Sequence, residues 1–308
     1  MRAVVISEFG GPEVLKVSEV AKPEPGLNEI LVRVHAAGVN PVDAKTRSVE
    51  ALIGWGEHRI SGWDVSGTVE AVGPGVTLFA PGDEVFGMPR FPLAAGGYAE
   101  YVAAPARHFA RKPAALSHEE AAAVPLAALT AWQALTDTAD LKPGQRVLVH
   151  AAAGGVGHFA VQIAKALGAH VIGTASAAKH DFVRSLGADE VVDYRTTAFE
   201  DVVADVDVAI DTVGNGYGAR SLKVLKPGGT LITLNGPDEI PAGADGFRTG
   251  WTLVEPDFNG MKALAALAAE GRLKPALDTV LPLEEAAKAH EIVEQGRTTG
   301  KVVLSVVA

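Results

Sequence analysis

Apolar and polar positions change rhythm twice along this chain. Up to about residue 110 the apolar runs are short, over 4–6, 14–17, the alternating Ile30-Leu31-Val32-Arg33-Val34, 66–72, 83–86 and 98–103. Turn signals such as Gly10-Gly11-Pro12 and Pro23-Glu24-Pro25-Gly26 punctuate them, a texture of strands and tight connections. This portion predicts a β-rich, partly open barrel. At Ser117-His118-Glu119-Glu120 the pattern turns helical. The serine can accept backbone N–H groups while the glutamate reaches back, which is a capping box. An alanine-rich stretch then runs to about residue 140, interrupted at Pro125, and Lys142-Pro143-Gly144 turns the chain.

From Arg146 onward, strand and helix patterns alternate. Val147, Leu148 and Val149 form a buried-strand run, and Val156, Ala160, Ile163, Ala164 and Leu167 recur at helical spacing. Strands follow at 170–174, 190–192, 206–211 and 230–234, with helices at 179–186 and 217–225 and a turn at Lys226-Pro227-Gly228-Gly229. Such alternation predicts right-handed parallel crossovers and a doubly wound α/β sheet. Beyond it lie an exposed strand at 251–254, amphipathic helices at 259–270 and 284–294, and a closing strand at 301–306. The expected division is a first domain over 1–120, completed by the tail 260–308, and a doubly wound, Rossmann-type domain over 121–259. Ligands collect in the cleft between such domains.

The connection between the first strand and helix of the second half is Ala152-Ala153-Gly154-Gly155-Val156-Gly157. A turn this tight lets a pyrophosphate rest on bare backbone N–H groups at the positive end of a helix dipole. Gly154 allows the close approach, Gly157 lets the helix lie against the sheet, and Ala152 stands where the common fingerprint has its first glycine. Ala153, Gly154, Gly155, Val156 and Gly157 are therefore the predicted pyrophosphate seat.

The residues after the next strand indicate which dinucleotide. An acidic side chain roughly twenty positions beyond the glycines accepts the ribose hydroxyls of NAD. Here the segment reads Thr174-Ala175-Ser176-Ala177-Ala178-Lys179, with no carboxylate. Ser176 offers a hydroxyl and Lys179 a cation, which suit the 2′-phosphate of NADPH. Ser176 is equally able to cap the next helix, and the two roles are compatible. Tyr194, beyond the following strand, either lines the phosphate or is an ordinary half-buried tyrosine.

Composition narrows the remaining choices. The 308 residues are ample for a real core, and there are no cysteines, which excludes disulfides, thiolate zinc sites and thiol nucleophiles. A formal charge of −10 without long like-charged blocks gives no footprint for nucleic acid or anionic membranes. The chain opens on the strand-like Arg2-Ala3-Val4-Val5-Ile6 without a signal-peptide pattern and holds no run approaching a membrane span. A soluble, cytoplasmic protein is the expectation. The nine histidines are scattered without ligand spacing, and no metal is predicted.

Several stretches together resemble one family. They are Ala37-Gly38-Val39-Asn40-Pro41-Val42-Asp43, Gly62-Trp63-Asp64-Val65-Ser66-Gly67-Thr68-Val69, Leu129-Thr130-Ala131-Trp132-Gln133-Ala134-Leu135, the glycine turn, and Leu186-Gly187-Ala188-Asp189. Over essentially the whole chain they resemble the medium-chain dehydrogenase/reductases, and within them the zinc-independent quinone oxidoreductases related to zeta-crystallin. The resemblance implies a GroES-like first domain and a dimer. In the zinc alcohol dehydrogenases of that superfamily the place matching Asn40 is a cysteine ligand and the place matching Trp63 a histidine; neither is kept here, and the four-cysteine zinc lobe is missing.

Without a Lewis acid an alcohol is hard to oxidise, whereas a quinone or activated alkene spreads the charge that arrives with a hydride. The resemblance places Asn40 and Asp43 toward nicotinamide and substrate, and Thr130 near the nicotinamide. Asn40 is either a donor to the substrate oxygen or cofactor, or a turn residue before Pro41. Asp43 either relays a proton or caps the helix that begins there. Asp64 stands where many relatives have glutamate. Asn235, at the C-terminal end of a parallel strand, suits the carboxamide or ribose; Arg297 either approaches the cofactor from the tail or is surface charge.

The expected function is NADPH-dependent reduction of a quinone or other conjugated carbonyl. The rivals are a 2-alkenal or enoyl reductase and a non-catalytic NADPH-binding regulator. Loops 53–60 and 88–97 are expected to choose the acceptor. The strand at 251–254 could pair with its copy across a two-fold axis or be covered internally.

Overall fold

The computed structural model describes residues 1–48 and 59–306, so positions 53–58 of the expected acceptor loop lie outside the described residues. The chain divides into two compact units, Met1–Leu129 with Glu255–Ala308, and Thr130–Val254. The first unit thus runs past 120, and the tail joins it from Glu255.

In the first unit β1 (Arg2–Ile6) and β2 (Leu15–Glu19) form an antiparallel pair. They are followed by β3 (Glu29–Val39), helix α1 (Pro41–Ser48), β4 (Asp64–Val72), β5 (Glu84–Gly87), β6 (Tyr101–Pro105) and β7 (Phe109–Arg111). Ile30, Val32 and Val34 of β3 are buried in the first unit's hydrophobic core, and the strand is paired along both edges. Helix α2 (His118–Ala122) starts on the expected capping box, Ser117 accepting from the Glu120 N–H and Glu120 from the Ser117 N–H. Pro125 does not merely interrupt the helical stretch; it opens helix α3 (Pro125–Gln133), where its missing N–H costs nothing.

The second unit continues with β8 (Arg146–Val149), α4 (Gly157–Ala166), β9 (His170–Ala175), α5 (His180–Ser185), β10 (Glu190–Asp193), β11 (Val206–Asp211), α6 (Tyr217–Ser221), β12 (Leu225–Thr233) and β13 (Arg248–Trp251). Its six strands are parallel, in the order β10-β9-β8-β11-β12-β13. Leu148, Ile172, Val206, Ala209 and Leu231 bury one core with Phe199.

Two sequence expectations shift here. Lys226-Pro227-Gly228-Gly229 is no turn ahead of a strand but an irregularity within β12, where the register jumps from Val206↔Leu225 to Val208↔Thr230 and Gly228 takes a φ of 75°. The edge strand lies at Arg248–Trp251 rather than 251–254. Arg248 anchors it by donating to the Ala139 carbonyl and Thr230 Oγ1, and polar residues so placed show no apolar alternation.

The tail returns to the first unit as helix α7 (Phe258–Ala269), capped by Asp257, then β14 (Leu277–Pro282), helix α8 (Ala286–Glu294) and β15 (Lys301–Ser305). Strand β14 was not expected from the sequence, because its alternation is bounded by Pro275 and Pro282 and mostly exposed. The first unit's main sheet runs β14-β15-β3-β4-β5-β7, with β6 also on β3. This mixed architecture is a GroES-like domain joined to a Rossmann-like parallel sheet.

Candidate active site

The glycine turn has the expected form in the second unit. Helix α4 starts at Gly157 with no side-chain cap, and the N–H groups of Gly155, Val156 and Gly157 have no acceptor among the described residues. A Cβ on Gly157 would lie 2.2 Å from the Ala151 carbonyl oxygen and 2.9 Å from the Ala152 Cα, so only glycine lets the helix start this close to the strand. A Cβ on Gly154 would meet only that same oxygen, at 3.2 Å, and would otherwise enter open space. Ala151 itself is held at a φ of 46°, a strained setting for a residue with a side chain. Open space over free N–H groups at a helix start fits a bound pyrophosphate.

Strands β9 and β10 bring Ser176 and Tyr194, two of the residues expected toward the 2′-phosphate, to one edge of the sheet. Ala175 is in register with Asp193, so Ser176 and Tyr194 leave neighbouring strands side by side. The Ser176 hydroxyl makes no helix-capping bond, although the residue sits at a cap position. Lys179 ends the short turn that follows, and Tyr194 is exposed. No carboxylate stands between Thr174 and Lys179. Asn235 follows β12 beside Gly214, which follows β11, so it lies at the C-terminal edge of the same sheet. Thr130 is buried in α3, and Ala153 is buried under the turn. Arg297 is exposed in the first unit, between α8 and β15.

The first unit holds a buried polar cluster built by strand register. Val302 of β15 pairs with Val39 of β3, which brings Lys301 beside Asn40, and Gly38 of β3 pairs with Asp64 of β4. Lys301 Nζ donates to the Val39 carbonyl at 3.0 Å and to Asn40 Oδ1, and lies 3.5 Å from Asp64 Oδ2. Asn40 Nδ2 donates to Asp64 Oδ2 at 2.8 Å, and the Leu126 N–H at the start of α3 donates to Asp64 Oδ1 at 2.7 Å. Asp43 Oδ2 accepts from the Asn40 N–H at 2.7 Å and from the Tyr98 hydroxyl at 3.0 Å. Its Oδ1 is buried without a partner.

Burial drives the titration of this cluster. It pushes Asp43 up to about 7, against the hydrogen bond from the Asn40 N–H, while the negative charge of Asp64 adds to the rise. Burial also raises Asp64 and lowers Lys301, and the attraction between the two charges opposes both shifts. Tyr98 is held well above its usual value by burial and the neighbouring Asp43. Asp43 does cap α1, accepting from the N–H three residues back, and it also carries the unpartnered oxygen a proton-handling group needs. Asn40 is more than a turn residue, since its amide is tied between an ammonium and a carboxylate. Lys301 and Tyr98 are the members of the cluster that sequence reasoning missed.

Residues 26–114 match the alcohol dehydrogenase GroES-like domain family, and residues 186–304 the zinc-binding dehydrogenase family. The quinone oxidoreductase of Sus scrofa is 37% identical to the chain, over 99% of this chain and 97% of its own. The chain belongs to the quinone oxidoreductase family. The 2-methylene-furan-3-one reductase of Solanum lycopersicum is 36% identical, over 99% of this chain and 79% of its own. A mycobacterial protein solved in complex with NADPH superposes with a TM-score of 0.86 at 33% identity, covering 99% of this chain and all of that one. As a quinone oxidoreductase family member, the protein is an oxidoreductase dependent on a nicotinamide dinucleotide and acting on a small molecule.

Zinc fits this member poorly, despite the name of one matching family. The Trp63 indole N–H donates to the Leu93 carbonyl at 2.8 Å, and its ring packs edge-on against Phe91. Asn40 is engaged by an ammonium, which would repel a second cation. Among the described residues no three His, Cys, Asp or Glu side chains converge as a metal site would require.

Proposed function

We propose that the protein is an NADPH-dependent, zinc-independent reductase of quinones and related conjugated carbonyls, working in the cytoplasm as a homodimer. The observation that carries this reading is the buried Asn40–Asp43–Asp64–Lys301 cluster, in which Asn40, the position that the resemblance matches to a cysteine zinc ligand, is instead tied between an ammonium and a carboxylate. Gly154–Gly157 would seat the pyrophosphate, Ser176, Lys179 and Tyr194 the 2′-phosphate, and Thr130, Asn235 and Arg297 the nicotinamide half. When bound, the reduced nicotinamide supplies a hydride. Asn40 donates a hydrogen bond to the acceptor's carbonyl oxygen, where negative charge develops. Asp43, near neutrality in its titration, supplies the proton that completes the two-electron reduction and regains one from water.

The direct test is to follow nicotinamide absorbance after adding a quinone, an enal, or neither. Quinone-dependent consumption, unaffected by a chelator, is expected. Tight NADPH binding without consumption across acceptors would favour a regulator, and loss of activity to the chelator would overturn the metal-free mechanism. The tomato relative keeps a second reading open, a 2-alkenal or enone reductase; a kcat/KM for enals far above that for quinones would select it.

Two further results are expected. Lys179→Ala should raise the NADPH dissociation constant about 10- to 100-fold, by loss of a charge-assisted phosphate contact, while leaving that for NADH nearly unchanged. Equal losses for both would reject the 2′-phosphate assignment. Strand β13 ends its sheet among the described residues and carries the exposed Trp251, with the exposed Leu253 just beyond, which supports pairing with a second copy. Light scattering should give twice the chain mass of 31.8 kDa.

A further inference from the structure

Lys301 is only 3% exposed, yet it touches neither surface nor solvent-facing charge. An ammonium has three donors and no acceptor. Its neighbours here are three acceptors, the Val39 carbonyl, Asn40 Oδ1 and Asp64 Oδ2. That arrangement fixes the Asn40 amide one way round. Turned over, it would set an NH2 group against the ammonium and a carbonyl oxygen against the Asp64 carboxylate.

With the amide so fixed, the unused polar capacity of the cluster is small. Asp64 is satisfied at both oxygens, and Asp43 Oδ2 already accepts two hydrogen bonds. What remains among the described residues is the second Nδ2 hydrogen of Asn40 and the buried Oδ1 of Asp43. A proton on Asp43 therefore has to reside on Oδ1. One donor and one proton-holding oxygen are what a carbonyl acceptor needs.

We propose that Lys301 is the positioning residue of this site: its ammonium orients the Asn40 amide and ties Asp64, so that only Asn40 Nδ2–H and Asp43 Oδ1 are left for the acceptor. The inference rests on the reading of Asn40 and Asp43 as the acceptor-facing pair. Lys301 acts through Asn40 and does not touch the acceptor. The ionisable groups facing it are Asp64 and Asp43, with Tyr98 beyond Asp43.

The test compares Lys301→Arg with the double variant Lys301→Met/Asp64→Asn. Lys301→Met alone would strand the buried Asp64 carboxylate and risk the fold; the double variant removes both charges of the Lys301–Asp64 pair together. With NADPH and a quinone, the double variant should lose about 10- to 100-fold in kcat with little change in the quinone KM, as a misoriented donor predicts. Its NADPH dissociation constant, read by fluorescence without quinone, should stay within about two-fold of the parent's. Lys301→Arg should recover part of the rate. Side-chain amide NMR on asparagine-labelled protein without cofactor should show one Asn40 Nδ2 hydrogen protected from exchange in the parent and both exposed in the double variant.

A double variant with parental kcat and parental amide protection would overturn the proposal. Slowed turnover with the Asn40 amide still protected would overturn it too, because Lys301 would then act by another route. If the parent protein reduces no acceptor, the functional reading fails, while the amide measurement still decides whether Lys301 holds Asn40.

Discussion

Gly154→Ala and Gly157→Ala, three residues apart in one turn, are expected to fail in different ways. Gly157→Ala should lower folding stability by about 1–3 kcal/mol, the range of overpacking and forced backbone shifts. Its Cβ would meet the backbone of Ala151 and Ala152 at 2.2 and 2.9 Å, and no side-chain rotation relieves a clash with backbone. The turn would have to open and carry the start of α4 away from β8. Gly154→Ala meets one oxygen at 3.2 Å, so its stability should change by less than about 1 kcal/mol. Its methyl group would instead project over the free N–H groups, and the NADPH dissociation constant should rise about ten-fold or more. Urea unfolding and fluorescence titration separate the two effects. A Gly154→Ala protein that binds NADPH as tightly as the parent would remove the turn as the pyrophosphate seat.

That contrast shows what the sequence carries and what it does not. Ala152-Ala153-Gly154-Gly155-Val156-Gly157 is local, and so are the capping box at Ser117 and the strand–helix alternation after Arg146; each depends on neighbours in the chain. The buried cluster is not local. Lys301 heads an apolar run, Val302-Val303-Leu304, and in sequence such a lysine looks like the solvated start of a strand. Only the pairing of Val302 with Val39, 263 positions earlier, turns it inward beside Asn40. Tyr98 was read as part of a strand for the same reason, and its hydrogen bond to Asp43 emerges only when the chain folds back. The displaced edge strand has a different cause. Arg248 and Thr249 carry no apolar signal, and the parallel ladder on β12 together with the Arg248 hydrogen bonds decides their conformation.

Acidification should destabilise the protein through two buried histidines, and removing either ring should flatten the loss. His150 lies with Nε2 2.9 Å from Ser221 Oγ and its ring against Phe199 and Tyr217; burial, aided by the Arg220 charge, holds it down at about 3. His290 is likewise held at about 3, by burial and by Arg47, whose guanidinium donates to its Nδ1 at 3.2 Å. Unfolded, both rings titrate near 6.5. Their folded pKa values are depressed, so the stability they confer is fully present above pH 6.5 and is lost as pH falls toward 3, where the unfolded chain binds two protons that the folded protein refuses.

Asp43 has the opposite sign. Its folded pKa of about 7 exceeds the unfolded 3.8, so the folded protein holds one extra proton between those values and gains stability as pH falls through them. The three groups together leave one net proton, or about 1.4 kcal/mol lost per unit of pH between 6 and 4. His290→Gln, which keeps an acceptor for Arg47, should bring that contribution close to zero, and Asp43→Asn should steepen it to about 2.7 kcal/mol per unit. Urea unfolding at pH 6, 5 and 4 gives the slopes, and titrating groups remote from the changed side chain cancel between parent and variant. Parallel slopes for parent and His290→Gln would show that the ring titrates normally in the folded protein, and that its burial against Arg47 exerts no hold on its proton.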